Sequence, residues 1–243
     1  MRALDPFRTP HFTQGSQLNA DMSDSPLIEL RSVSLNYGNH AALDRLTLSV
    51  RRGEFVVLHG STGCGKSTVL HLIAGLIKPS EGEVIVAGDR VDLFDDAQRR
   101  WLRRSMGLMM QEGQLLSERS VIDNVMLPAL AADEAISEAK RRAFLALGKC
   151  GIADLAEMKP RTLTAGQRQL VCLARAVVNR PVLILADEPV AHLDETNADT
   201  LVNLLGAFSS AGVTVIVATH QHLAPENCRS REITMHAPTG RMP

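Results

Sequence analysis

The sequence predicts an α/β fold built on a mostly parallel sheet, and three stretches predict it. Gly60-Ser61-Thr62-Gly63-Cys64-Gly65-Lys66-Ser67-Thr68 matches the phosphate-binding pattern G-x-x-x-x-G-K-[ST]. An apolar run at 54–59 suited to a buried strand precedes it, and Val69, Leu70, Leu72, Ile73 and Leu76 follow at helical spacing, so the loop joins a strand to a helix. Further on, 182–186 and 213–218 are two more short apolar runs, the first ending in Asp187-Glu188 and the second in Thr219-His220. Open α/β sheets place their chemistry at such strand ends.

Taken in order, 27–35 is rich in apolar and β-forming residues, and 42–50 alternates again after the turn Tyr37-Gly38-Asn39-His40, so a hairpin precedes the phosphate loop. After the first helix, Lys78-Pro79-Ser80-Glu81-Gly82 breaks into a strand at 83–87, and Gly88-Asp89 turns out of it. Residues 95–104 form a basic helix that carries Trp101, and 106–110 read as a short strand that delivers Gln111. From 121 to about 156 the apolar spacing is helical and charges cluster in Asp133-Glu134 and at 138–142. We expect a helical subdomain at about 112–180, inserted in a single domain that covers 26–243. Thr164 stands where it can cap a helix whose apolar face is Leu170, Leu173, Ala174 and Val177, and Gly166 beside that N-terminus makes a second potential anion site. Residues 1–25 mix Pro, Asp, Gln, Thr and Ser with few aliphatics and lack the apolar core of a signal peptide, which reads as a disordered or cloning-derived extension.

Composition narrows the classes. With 243 residues, 45% of them hydrophobic, the chain can bury a full core. A net charge of −1 gives no field to hold nucleic acid, and the four arginines at 95–104 lack aromatic interleaving, so no nucleic-acid partner is expected and that helix reads as a solvated face or a protein contact. Cys64, Cys150, Cys172 and Cys228 show neither paired nor metal-ligand spacing, which argues for a reducing compartment and buried free thiols. The longest apolar runs fall far short of the roughly 20 residues that span a bilayer.

The residue types of the loop dictate its chemistry. Gly60, Gly63 and Gly65 let backbone N–H groups turn inward on a phosphate at a helix N-terminus, and Lys66 neutralises the β and γ phosphates. Ser67 offers a hydroxyl to Mg²⁺, Thr68 can reach the α phosphate, and Ser61, Thr62 and Cys64 occupy the variable positions. Asp187 can hold Mg²⁺, and Glu188, one residue on, points elsewhere and can orient or deprotonate water; His220 can reach the γ phosphate. Taken alone, Asp187-Glu188 also fits an ordinary strand-to-loop carboxylate pair, His220 a structural histidine, and Tyr37 a turn residue packing locally.

Tyr37, the phosphate loop, Gln111, 163–167, 185–189, His192-Leu193-Asp194 and His220 stand in the order and spacing of ABC-transporter ATPase subunits, and the chain resembles that family over essentially 27–236. The resemblance implies a P-loop NTPase of the ABC ATPase type, with a mostly parallel core sheet, an antiparallel β subdomain and an inserted helical subdomain. It implies ATP and Mg²⁺, with Tyr37 stacked on adenine, Gln111 as the lid glutamine that senses Mg²⁺ and the membrane partner, Asp187 as the acid on the Mg²⁺ side, Glu188 as the catalytic carboxylate and His220 as the switch histidine. It further implies a head-to-tail homodimer that sandwiches ATP between the phosphate loop of one subunit and the signature of the other, here Thr164, Gly166 and Gln167, with Asp194 at the interface. Two departures stand out. The usual Leu-Ser-Gly-Gly-Gln reads Leu-Thr-Ala-Gly-Gln, which adds the Ala165 methyl, and Val190-Ala191-His192-Leu193-Asp194 and Gln221 differ from the common interface residues. Blocks at 102–111, 119–125, 174–181 and 212–215 look most like cell-division ATPases of the FtsE type, which work with an FtsX-like membrane partner at the cytoplasmic face of the bacterial inner membrane. Lipoprotein-release and macrolide-export ATPases, which work with permeases, share these blocks. An ATP-gated binding module with little hydrolysis is the alternative that Ala165 motivates.

Overall fold

The chain runs through β1 (Ile28–Tyr37), β2 (His40–Val50), β3 (Phe55–His59), α1 (Lys66–Ile73), β4 (Glu81–Val86), β5 (Asp89–Arg90), α2 (Asp96–Arg104), β6 (Gly107–Met109), α3 (Val121–Leu130), α4 (Ile136–Lys149), α5 (Ala165–Val177), β7 (Leu183–Asp187), α6 (Glu195–Ser210), β8 (Thr214–Thr219) and β9 (Ser230–Thr234). This computed structural model describes residues 25–38, 40–110 and 115–238. Gln111 and residues 1–24 of the N-terminal stretch lie outside the described residues.

The strands form two sheets. One is antiparallel in the order β2-β1-β4-β5, with Tyr37 opposite His40 at the tip of the hairpin. The other is parallel throughout, in the order β6-β7-β8-β3-β9. Its central strands are apolar on both faces because helices or the other sheet cover both. Alternation along each strand divides the core in two. Val57, Ile184, Ala186, Val215 and Val217 pack with α3, α4, α5 and α6, whereas Val56, Leu58, Leu183, Leu185, Ile216 and Ala218 pack with α1 and the antiparallel sheet. That parity sends Asp187, two residues past Leu185, toward α1, and Glu188 away from it.

Caps fix where the helices begin. Asp95 with Gln98, Ser120 with Asp123, and Thr164 with Gln167 each form reciprocal capping boxes at α2, α3 and α5, and Asp194 accepts from the Asn197 N–H at α6. Asn124, fully buried on α3, takes the Leu116 N–H at 2.6 Å and gives its amide to the Leu116 and Ser120 carbonyls at 3.0 and 2.9 Å. It therefore ties the loop after β6 to the helical layer.

Several expectations need correction. Leu76 was assigned to the apolar face of the first helix, but α1 stops at Ile73 and Leu76 is exposed beyond it; Gly75, with φ +62°, turns the chain out of the helix. The strand expected at 83–87 begins at Glu81 and ends at Val86. Of the four cysteines Cys64 and Cys150 are buried, as expected, while Cys172 and Cys228 are only partly so. Neither β9 nor α6 was foreseen.

Candidate functional site

The site grows from the turn between β3 and α1. Gly65 caps α1 in the left-handed region, φ +95°, and a Cβ there would fall 2.6 Å from the Ala42 carbonyl oxygen of β2. At Gly60 a Cβ would meet the Met235 carbonyl oxygen at 2.5 Å and the Cys64 thiol at 2.8 Å. Both positions demand glycine, so the loop is pinned between the hairpin and the segment after β9. The first N–H groups of α1 are thereby left free to meet an anion.

Lys66, buried, donates to the Gly60 and Ser61 carbonyls at 2.8 and 3.0 Å, which folds its chain back along the loop, and its Nζ lies 3.9 Å from Glu188 Oε1. Ser67 Oγ donates to Asp187 Oδ1 at 2.9 Å across 120 positions of sequence. Burial pushes the Asp187 carboxyl above its ordinary pKa, against the pull of the Ser67 hydroxyl, and the neighbouring Glu188 charge raises it further. These two hard oxygens, side by side at a helix N-terminus, are the donor set that Mg²⁺ prefers.

Glu188 adopts φ +46°, a left-handed conformation unusual for a glutamate, which costs on the order of 1–3 kcal/mol and persists only where neighbours over-determine it. They do so here. Its N–H donates to the Ala218 carbonyl at 2.8 Å, Thr219 Oγ1 donates to Oε2 at 3.0 Å, and His220 Nδ1 lies 3.0 and 3.1 Å from the two carboxylate oxygens. A carboxylate can only accept, so Nδ1 is the His220 nitrogen that donates to it.

A cavity of about 400 Å³ opens over these groups, lined by Thr62, Gly63, Gly65, Lys66, Ser67, Thr68, Glu188 and His220 of the expected set, with Tyr37, half exposed, at the rim. His40, Ala42, Ala191 and His192 line it too. His40 and Ala42 had been read only as hairpin residues, and the Thr219 support of Glu188 was missed, although its place directly before His220 was a usable signal. Gly60, Ser61 and Cys64 stand in the loop beneath. Thr164, Gly166 and Gln167 do not line this cavity; they form the N-terminus of α5, where Gly166 abuts Asn197 so closely that a Cβ would fall 2.6 Å from its Oδ1. Gln111 falls outside the described residues. A second cavity, of about 580 Å³, shares Glu188, Ala191 and His192 with the first and runs on toward Arg168 and Arg175 of α5.

A lysine-bearing glycine loop at a helix N-terminus, with an acid at the end of β7, one strand removed from β3, and a carboxylate–histidine pair facing the cavity over the loop, defines a nucleotide-phosphate site of the P-loop kind. The chain belongs to the ABC transporter family, whose description matches residues 43–191, and it is an ATPase of that family. It is 38% identical over 195 residues to the cell division ATP-binding protein FtsE of Escherichia coli K12, which spans 80% of this chain and 88% of that protein. It is 42% identical over 179 residues to the lipoprotein-releasing system ATP-binding protein LolD of Xanthomonas axonopodis pv. citri, 73% of each chain. Among solved structures, a bacterial ABC transporter cassette seen as a dimer superposes with a TM-score of 0.74 at 34% identity, over 80% of this chain and 88% of that one; the same cassette has been seen in a post-hydrolysis state with ADP and Pi.

Proposed function

We propose that this chain is the ATP-hydrolysing subunit of a membrane ABC complex of the cell-division type, in which ATP-driven closure of a homodimer moves an integral membrane partner. The observation that carries the reading is the constellation of Lys66, Ser67, Glu188 and His220 around one cavity, with Asp187 bonded to Ser67 and Thr219 to Glu188. The FtsE relative supports the cell-division assignment. No helix among the described residues is long and apolar enough to cross a membrane, so such a chain would attach peripherally, at the cytoplasmic face of the inner membrane.

The inward N–H groups and Lys66 bind the β and γ phosphates, and Tyr37 at the cavity rim stacks on the adenine. Ser67 and Asp187, with Gln111, would hold Mg²⁺, which supplies neutralisation of the phosphate oxygens. Glu188 accepts the proton of the attacking water; its backbone and Thr219 hold the carboxylate at one angle, and His220 steadies it from the solvent side. In the dimer, Thr164, Gly166 and Gln167 at the N-terminus of α5 complete the site of the opposite subunit, consistent with their not lining the chain's own cavity over the phosphate loop.

The test is steady-state ATP hydrolysis by the wild type and Glu188→Gln, with size-exclusion chromatography of both in ATP and Mg²⁺. Turnover in the variant is expected to fall about 10²–10⁴-fold, the usual contribution of a general base, while it elutes as an ATP-dependent dimer. Wild-type turnover in the variant would remove Glu188 from the mechanism. The LolD relative favours a second reading, the motor of a lipoprotein-release or related export system. Which membrane protein copurifies with the chain from its own host distinguishes the two.

A further inference from the structure

Three side chains that the nucleotide site does not use converge beside the phosphate loop: His59, His222 and Glu232, whose donor atoms all lie within 4.8 Å of one another. The fold brings them together from separate elements. In the parallel pairing of β3 with β9, Val57 stands opposite Glu232, so His59, two residues past Val57, shares a sheet face with Glu232. His222 arrives from the segment after β8 and stacks on His59, with ring centroids 4.1 Å apart and planes 22° from parallel. Its Nδ1 lies 2.9 Å from Glu232 Oε2, and His59 Nδ1 lies 3.7 Å from Oε1.

The tautomer of His59 follows from its other nitrogen. Nε2 is 3.1 Å from the His220 carbonyl oxygen, which can only accept, so Nε2 donates there and Nδ1 is the ring nitrogen that faces the carboxylate. Two imidazole nitrogens and a carboxylate gathered this closely are a set of donors suited to a cation. We propose that His59 Nδ1, His222 Nδ1 and the Glu232 carboxylate bind a transition-metal dication of the Zn²⁺ class, with water in the remaining position; the exposed His222 ring turns out of its stack on His59 to aim its in-plane lone pair at the ion. Two imidazoles and one carboxylate are a three-ligand set with an open fourth site, and the Nε2–H bond to a backbone carbonyl is the outer support that orients a ligating histidine. The pair Ser67–Asp187 offers only oxygen and selects a different ion. Because the carbonyl of His220 holds His59, a metal here braces the 220–222 segment against β3 and β9, the same segment whose His220 side chain contacts Glu188.

Co²⁺ added to the full-length, nucleotide-free protein, with excess Mg²⁺ to fill oxygen-only sites, tests the site directly. One Co²⁺ per chain is expected, with the visible absorption of four-coordinate nitrogen and oxygen ligation, bleached by Zn²⁺, and with a rise in Tm. His222→Ala and Glu232→Gln should each weaken binding about tenfold or more and remove the Tm rise. His222 is 77% exposed, so its removal leaves the fold intact, which circular dichroism checks. Binding undiminished in both variants, a thiolate-to-cobalt band that assigns the metal to cysteine, or no uptake by the wild type would each overturn the proposal.

Discussion

Asp187 is the residue at which burial and charge conflict most. It is nearly fully enclosed, one donor reaches it directly, and burial holds its carboxyl above the ordinary range. A raised carboxyl binds its proton more tightly in the folded than in the unfolded chain, so it favours the fold below the ordinary carboxylate pKa and loses that favour as pH rises through the raised value. Wherever the pH lies above that raised value, the ionised Asp187 opposes folding. Asp187→Asn, measured in EDTA, should therefore melt at a higher temperature than the wild type at pH 7, and the difference should shrink as pH falls toward the point where the wild-type carboxyl takes up its proton. Turnover should fall about 10²-fold or more, the scale for losing one preorganised electrostatic contact. Thermal melts from acid to neutral pH check the first statement; a lower Tm for the variant at pH 7 would mean that the ionised carboxylate is a net stabiliser. This reading makes the site a place where stability is given up for function.

Single elements position these residues, and caps are the cheapest part of an element to test. The Thr164 hydroxyl accepts the Gln167 N–H at 3.2 Å while the Gln167 side chain accepts the Thr164 N–H at 3.0 Å, so Thr164→Ala should destabilise the protein by about 1 kcal/mol. For a chain of this size that is a Tm lower by about 2–4 °C, and Thr164→Ser should restore it; an unchanged Tm in the Ala variant would show that packing alone fixes the start of α5. This cap was legible because a hydroxyl residue directly preceding an apolar period is a local signal. So were the phosphate loop and the acids ending β7, since each needs only neighbours in sequence. β9 was not: Ser230–Thr234 is an edge strand, largely exposed and carrying Arg231 and Glu232, and so has no apolar run to betray it. The positive φ of Glu188 and the convergence of His59 with His222 and Glu232 were equally hidden, because both depend on which strands become neighbours. Ser67 and Asp187 also lie far apart in sequence, but each already belonged to a motif.

At the scale of the whole molecule the question is what completes the site, since the N-terminus of α5 does not line the cavity over the phosphate loop of its own chain. If the opposite subunit supplies it, two variants that are inactive for different reasons should repair each other. Lys66→Ala removes the buried ammonium; each charge-assisted hydrogen bond to a phosphate is worth about 1.5–3 kcal/mol, so ATP affinity drops at least about tenfold. Ala165→Glu places a carboxylate at the first position of α5, where the helix dipole welcomes it and the fold is undisturbed, but where it repels the γ phosphate of the facing site. In a head-to-tail pair made of one chain of each kind, both defects fall in the same site and the other site is intact. A random equal mixture holds one half mixed dimers, each with one good site of two, so turnover per chain should recover to about a quarter of the wild type if the sites act independently. Each variant alone should stay near background. No recovery on mixing, with mixed dimers shown to form by differential tagging, would mean either that each chain completes its own site or that both sites must fire together. Trapping by Glu188→Gln in one chain only separates those outcomes, because coupled sites would silence the wild-type partner and independent ones would leave the dimer half active.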